Sequence, residues 1–339
     1  MRHDDLFIAG LGVWLPPLQT VAEARQQGLI SAERAAQLEF VSAAVAAPDQ
    51  PGPWMAAQAG RAALKQAGIG PDDLTLVLHA VNWFQGVDMW PAAAYVAHEV
   101  GARHVGAFEV GQRCNGGLGA IELAAQALRS GLLDGDSVLV TTGDRMQLPR
   151  IDRWNIMRIL IYGDAGTSAV LSRRGGFARV LSTCTGVDNS LELLARGDQE
   201  FAVEPPPSPA IDLDMRTRSV LESALPDARD RLSVMLHQVQ HTVLEDAGLS
   251  MDEIAKVAVP HTRQGAERRE LSDLLGVDDK DTTWEFGRTV GHIAAGDQIA
   301  GLEFLLRTGR VKPGDRVLLW GGGAGYSCTA AVVEILDVA

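Results

Sequence analysis

Three side chains are of the types that do covalent and acid–base chemistry and stand in settings that could use it: Cys114, His292 and Asp297. Cys114 lies in RCNGGLGAIELAAQALR, where a glycine-rich turn runs into a segment with the Ala/Leu periodicity of a helix. A thiol at a helix N-terminus meets unpaired N–H groups and the positive end of the dipole, which favour the nucleophilic thiolate. Asn115-Gly116-Gly117 lets the backbone turn tightly and lets a substrate approach the amides. By itself such a cysteine is more often a small packing residue, about two times in three. Cys184 and Cys328 lack this context and read as packing residues.

His292 opens HIAAGDQIAG, five residues before Asp297, so that a carboxylate could orient the imidazole as it does for a general-base histidine. Inside one continuous α-helix, residues five apart lie about 140° apart and do not share a face. The pair therefore requires His292 to precede the helix. His261, in PHTRQG after the strand-like AKVAVP, stands where α/β sheets place ligands and is a third candidate. His237 and His241 have metal-compatible spacing but no Glu or Cys in a zinc-like pattern, and read as an exposed helix face. No metal site is expected. WGGGAGYSC, from Trp320, is a glycine-rich turn after a strand; it lacks the Lys-Ser/Thr ending of a phosphate loop, and its amides could form an oxyanion hole.

An internal repeat supplies the elements that must position these groups. AGIGPDDLTLVLHAV at 67–81 resembles AGLSMDEIAKVAVPH at 247–261, a helix closed by glycine, an acidic turn and a buried strand. LRSGLLDGDSVLV from 128 likewise resembles LRTGRVKPGDRVLL from 306. The repeat is too long for a solenoid and implies two homologous halves, 1–183 with the cysteine and 184–339 with the histidine and glycine loop, related by a pseudo-twofold axis. Strands at 76–78, 137–141, 257–259 and 316–319 alternate with helices at 118–129 and 298–308, the α/β pattern of buried sheets between helical layers. An offset of 178 residues aligns the two Leu-Arg-x-Gly helix ends and projects Cys114 onto His292. Facing turns of this kind would bring a Cys/His pair together. Two segments stand outside the repeat: a proline-rich connection at 204–209, and 144–160, read as a substrate lid or a dimer contact.

Composition narrows the classes of function. The 339 residues carry 30 Lys+Arg against 43 Asp+Glu, a net charge of −13, and show no basic stripe for nucleic acid or anionic membrane. No apolar stretch approaches the roughly eighteen residues a spanning helix needs. With 46% hydrophobic residues the chain can bury a large core without staples, and its three separated cysteines form no disulfide framework. The expectation is a cytoplasmic protein with reduced thiols and no membrane or nucleic-acid partner.

Six segments, in order, resemble the ketosynthase III branch of the thiolase superfamily. FIAGLGVWLPP is similar to its opening strand and QRCNGGLGAIELA to its nucleophile turn. DRWNIMRILIYGDAGTSAVL resembles the segment ending in its Gly-Asp-Gly-Ala-Gly motif. VPHTRQG stands where its His-Gln-Ala-Asn motif belongs, GHIAAGDQIAG where Gly-Asn-Thr-x-Ala-Ala-Ser belongs, and WGGGAGYSC resembles its closing glycine loop. The resemblance implies a five-layer αβαβα thiolase fold and a homodimer. It also implies Cys, His and Asn in the site, the last two stabilising the enolate from a decarboxylated malonyl thioester. Here Cys114 and His261 match, but the Asn position holds His292, and Thr262 and Arg263 follow His261. An imidazole can accept a proton from a nucleophile, which an amide cannot.

This departure resembles the ketosynthase-III-like acyltransferases of polyketide pathways, the malonyl transferase type of cervimycin biosynthesis among them. The resemblance implies Cys114 as the acylated nucleophile, His292 as base, Asp297 as its orienter and His261 as auxiliary; for the oxyanion hole the expected donors are the backbone N–H groups of Cys114 and of a glycine of 321–323, with Gly323 the first choice. The expected donor is a coenzyme A or acyl-carrier-protein thioester, used as substrate with no permanently bound cofactor. The expected acceptor is a hydroxyl, on a sugar of a glycosylated natural product, and the acyl group malonyl. Rival expectations are a decarboxylating ketosynthase, and a non-catalytic partner subunit that keeps the fold for dimerisation.

Overall fold

A computed structural model of the chain describes residues 1–131, 134–202, 210–221, 223–262 and 273–337. The proline-rich connection at 204–209 lies outside them, as does Arg263. Eleven strands are found among the described residues: β1 Phe7–Trp14, β2 Leu18–Thr20, β3 Ser42–Ala44, β4 Leu76–Ala80, β5 Gly106–Val110, β6 Ser137–Asp144, β7 Ala165–Ser172, β8 Ala178–Val187, β9 Lys256–Ala258, β10 Arg316–Trp320 and β11 Ser327–Ile335. All four strands and both helices read from periodicity are present, the helices as Gly116–Ser130 and Asp297–Arg307.

The large sheet runs β5-β4-β6-β7-β1-β8-β11-β10-β9. Read outward from its middle, the order β1-β7-β6-β4-β5 on one side is repeated on the other as β8-β11-β10-β9, with Thr282 bridged to Val257 beyond β9. The junction is narrow, since β1 and β8 pair only at Phe7↔Arg179 and Ile8↔Ala178. The 183/184 position expected to divide the halves falls inside β8.

Alternation along the strands makes the layers. Val138 and Val140 of β6, with Val317 and Leu319 of β10, point into one core shared with helices Gly116–Ser130 and Asp297–Arg307. Leu139 points the other way, against Gly52–Ala67 and Ala92–Val100, while Leu318 and Trp320 meet the helix Ala228–Ala247. Strands buried on both faces and helices on each side give five layers, αβαβα. Burying each such aliphatic side chain stabilises by about 1.5–3 kcal/mol. The helix Gly52–Ala67 lies so close to β1 that a Cβ on Gly12 would come within 1.9 Å of Ala59 O.

The two central helices begin in matching turns, and the turns correct the repeat's register. Arg113–Asn115 is a 3-10 turn entered at φ +52° by Arg113, and Ala294–Gly296 is another entered at φ +55° by Ala294. Cys114 therefore corresponds to Ala295 and Gly116 to Asp297, so the projection of Cys114 onto His292 does not hold. The reason is length: the first helix has 15 residues and the second 11, so aligning their C-terminal ends misplaces their starts by about a turn. The turns do abut, and a Cβ on Gly117 would lie 2.1 Å from Ala295 O. Gly117→Ala is expected to cost about 2–3 kcal/mol in denaturant unfolding. Gly131→Ala, in open space but at φ +66°, should cost about 1 kcal/mol.

Candidate active site

Cys114 sits in a turn fastened from several directions. The Arg113 guanidinium donates to Asn82 O at 2.7 Å, holding a non-glycine residue in the left-handed region. The buried Asn115 amide donates to Gln112 Oε1, Ser327 Oγ and Thr329 Oγ1 at 2.9–3.1 Å, and its oxygen accepts from the Thr329 N–H at 3.0 Å. These bonds tie the cysteine turn to β11. From the other side the glycine loop presses against it, since a Cβ on Gly323 would come within 2.6 Å of Gln112 O.

His292 arrives from the extended stretch before the second helix. Its N–H donates to Ile161 O and its carbonyl accepts from the Gly163 N–H, at 2.8 and 2.9 Å. His292 thus precedes the helix, and Asp297 is the helix's first residue. The imidazole Nε2 lies 2.9 Å from Cys114 Sγ and Nδ1 lies 2.6 Å from Asp297 Oδ2. Tyr162 stacks on the ring, centroids 5.3 Å apart and planes 24° apart.

Asp297 has no solvent contact, so its charge must be met by donors. Oδ2 also accepts from the His261 N–H at 2.6 Å, and Oδ1 from the Ile293 N–H at 2.9 Å, with His261 Nδ1 3.0 Å away. The N-terminus of an 11-residue helix adds favourable potential. Burial would raise the carboxyl pKa, but His261 and His292 outweigh it and hold it below the usual carboxylate range. Burial would likewise lower the His292 pKa; Asp297 first and Cys114 second oppose it and hold the imidazole well above its ordinary value. The site thus favours an imidazolium against Cys114, backed by a carboxylate.

His261 stands differently from its expected place among catalytic groups. It is fully buried, its Nδ1 is also 2.9 Å from Gly291 O, its Nε2 has no partner among the described residues, and it is absent from the described cavity lining. Gly323 is a correction. Its N–H donates to Ser327 O at 2.9 Å, in a bridge that closes the glycine loop, and is not available to an oxyanion. The neighbouring Gly322 lines the cavity beside Cys114, and the N–H groups of Gly322 and Cys114 make no hydrogen bond among the described residues. His237 and His241 lie on an exposed helix face, His237 bonded to Ser233 O and His241 beside Glu245.

A cavity of about 350 Å³ opens on Cys114 and His292, with walls that include Tyr162, Trp284, Trp320 and Tyr326. Met157, Ile159 and Leu160 of the 144–160 segment form part of it. The segment is clamped in place: Arg34 donates to Met157 O, Arg158 O and Leu160 O, and Arg153 pairs with the buried Asp164 at 2.8 Å. Tyr162 was not identifiable from the sequence, because nothing marks an aromatic residue before Gly-Asp as a neighbour of a histidine 130 positions away. Behind it, Asn82 bonds its hydroxyl, and Asp144 accepts from the N–H groups of Asn82 and Trp83 and from Gln85. Burial pushes the Asp144 carboxyl up to about 7 despite those donors.

Fold and site have the arrangement of a thiolase-type enzyme, with Cys114 just before one central helix, His292 just before the other and Asp297 at the latter's start. The 3-oxoacyl-[acyl-carrier-protein (ACP)] synthase III profile matches residues 108–189, and the profile of that family's C-terminal region matches residues 244–335. The solved structure of the acyltransferase ChlB3 superposes with a TM-score of 0.93, at 35% identity over 98% of both chains. The chain is 28% identical to a beta-ketoacyl-[acyl-carrier-protein] synthase III of Streptomyces lividans, covering 86% of this chain and 83% of that protein. It is 29% identical to the acetoacetyl CoA synthase NphT7 of Streptomyces sp. (strain CL190), covering 85% of each. The chain belongs to the ketosynthase III family, whose thiolase fold it shares. No helix among the described residues is long and apolar enough to cross a membrane.

In ¹⁵N-histidine NMR titration, His292 should keep its second proton well above pH 6.5. Asp297→Asn should bring that titration down in pH, and further than Cys114→Ala does, because the carboxylate is the stronger of the two stabilising charges.

Proposed function

We propose that the protein is an acyltransferase that moves an acyl group from a coenzyme A or carrier-protein thioester to a hydroxyl through an S-acyl-Cys114 intermediate, without decarboxylation. The observation that carries this reading is the unbroken line Cys114 Sγ, His292 Nε2, His292 Nδ1, Asp297 Oδ2 at 2.9 and 2.6 Å. The Cys114 thiolate attacks the thioester carbonyl. The N–H groups of Cys114 and Gly322 take up the oxyanion, each such donor being worth about 3 kcal/mol. The departing thiolate takes the proton from the His292 imidazolium, leaving the free thiol, S-acyl Cys114 and a neutral imidazole. That imidazole then removes the proton of the acceptor hydroxyl, the oxygen attacks the S-acyl carbonyl, and Cys114 leaves as thiolate beside a renewed imidazolium. Atoms and charge balance over the cycle, and the donor and acceptor react in separate half-reactions.

Two further observations support transfer over condensation. The His/Asn pair that the resemblance assigns to the enolate is not reproduced, because His261 is absent from the described lining and His292 stands at the Asn position. The 35% identity to ChlB3 likewise points toward acyl transfer. The acceptor is read as a sugar hydroxyl. The acyl group is read as malonyl, by the same resemblance. A homodimer belongs to the same reading: β5 is the free edge of the sheet and leaves Phe108 exposed, so two copies could pair there. The cytoplasm is the proposed compartment. The condensing alternative rests on the 28–29% identities to two synthases.

Intact-mass analysis with malonyl, isobutyryl and benzoyl thioesters, followed by an alcohol chase, separates the readings. An acyl adduct confined to Cys114, lost in Cys114→Ala and cleared by alcohol, is the expected result. Rapid loss of carbon dioxide from malonyl thioester, or a β-keto product, would establish condensation instead. Asp297→Asn should slow clearance by alcohol by roughly 10²-fold or more while slowing self-acylation much less.

A further inference from the structure

His261 occupies a family histidine position, yet its imidazole borders the buried carboxylate and not the cavity. Its Nδ1 stands between two acceptors, Gly291 O at 2.9 Å and Asp297 Oδ1 at 3.0 Å, so this nitrogen carries the ring proton. Nε2 is buried and has no partner among the described residues. The ring is wedged against Gly287, where a Cβ would lie 2.5 Å from Cδ2, and packs edge-on to Phe286 at 5.5 Å. It has no room to swing. Its backbone N–H reaches the other carboxylate oxygen at 2.6 Å.

Residue 261 therefore approaches both oxygens of Asp297. With the Ile293 N–H also on Oδ1, rotation of the carboxylate about its last bond would break contacts to three residues, His261, His292 and Ile293. Oδ2 is left aimed at His292 Nδ1. We infer that His261 is a positioning residue for the acyl-transfer base, acting through Asp297 by a ring hydrogen bond that fixes which carboxylate oxygen faces His292. This rests on the reading of His292 as base. It gives the histidine a task that needs neither cavity access nor an enolate. Among the described residues, the titratable groups that face His292 are Cys114, Asp297 and Tyr162, and of these contacts the Asp297 one runs through His261.

The test compares His261→Leu, which removes the ring donor, with His261→Asn, whose amide nitrogen falls near the place of Nδ1. Both are examined in the wild-type and Asp297→Asn backgrounds, with the full-length protein and whichever thioester acylates Cys114. His261→Leu should slow clearance of the S-acyl group by alcohol roughly ten- to a hundredfold, with the acceptor KM little changed. It should also move the His292 titration downward, in the direction of Asp297→Asn but less far. His261→Asn should recover most of both. In the Asp297→Asn background His261→Leu should add little, because its route of action is already gone. Should the leucine variant not fold, His261→Ala enters the same comparison. An unmoved His292 titration, or an equal loss in the Asp297→Asn background, overturns the inference. If Asp297→Asn itself leaves clearance by alcohol untouched, the reading of His292 as base fails as well, a separate and recognisable result.

Discussion

A carboxylate with no access to water organises this protein. Asp297 stays ionised at the start of its helix because donors from two stretches of chain converge on it, 261 at the end of the β9 segment and 292–293 before the helix, while the helix N-terminus adds favourable potential. Each donor is fixed by its own surroundings. His292 is held through its backbone by 161–163, and His261 by the snug contact with Gly287. The demand of one buried charge thus specifies the relative placement of loops that are distant in sequence, and the raised basicity of His292 follows from that placement.

The thiol is placed by different physics. The cysteine turn meets the Ala294–Gly296 turn and the glycine loop at distances that no side chain at Gly117 or Gly323 would allow. Close backbone contact sets the position of Cys114 against His292 to within a hydrogen bond's tolerance, and the fastened Asn115 amide keeps the turn from relaxing. Glycine contributes there through the absence of a Cβ, and elsewhere through positive φ, as at the helix ends Gly68, Gly131 and Gly248. The two central helices begin in matching turns but carry different side chains there, a thiol before one and a buried carboxylate at the start of the other.

Much of this was legible in the chain alone. The strands at 76–78 and 137–141, the two central helices and the glycine helix ends follow from local periodicity and from φ requirements, both written residue by residue. The Cys114, His292 and Asp297 grouping was legible too, since residue type and turn context mark each. The register that seemed to pair Cys114 with His292 was wrong, although the residues do meet. His292 reaches the thiol from the extended segment beside 161–163, and no symmetry operation relates the two.

What only tertiary structure decided concerns direction and occupancy. A sequence shows that three glycines follow Trp320, but strand pairing with Ser327 consumes the N–H of Gly323 and leaves that of Gly322. It shows a histidine after β9, but packing against Gly287 and the pull of a buried anion turn its Nδ1 toward Asp297. Tyr162 joined the site through a single parallel bridge to His292. The sequence by itself determined the elements and the reactive types, because these depend on neighbours along the chain. Orientation of side chains, and which amides remain unpaired, depend on non-local packing and hydrogen bonding, and these exist only once the five layers have closed.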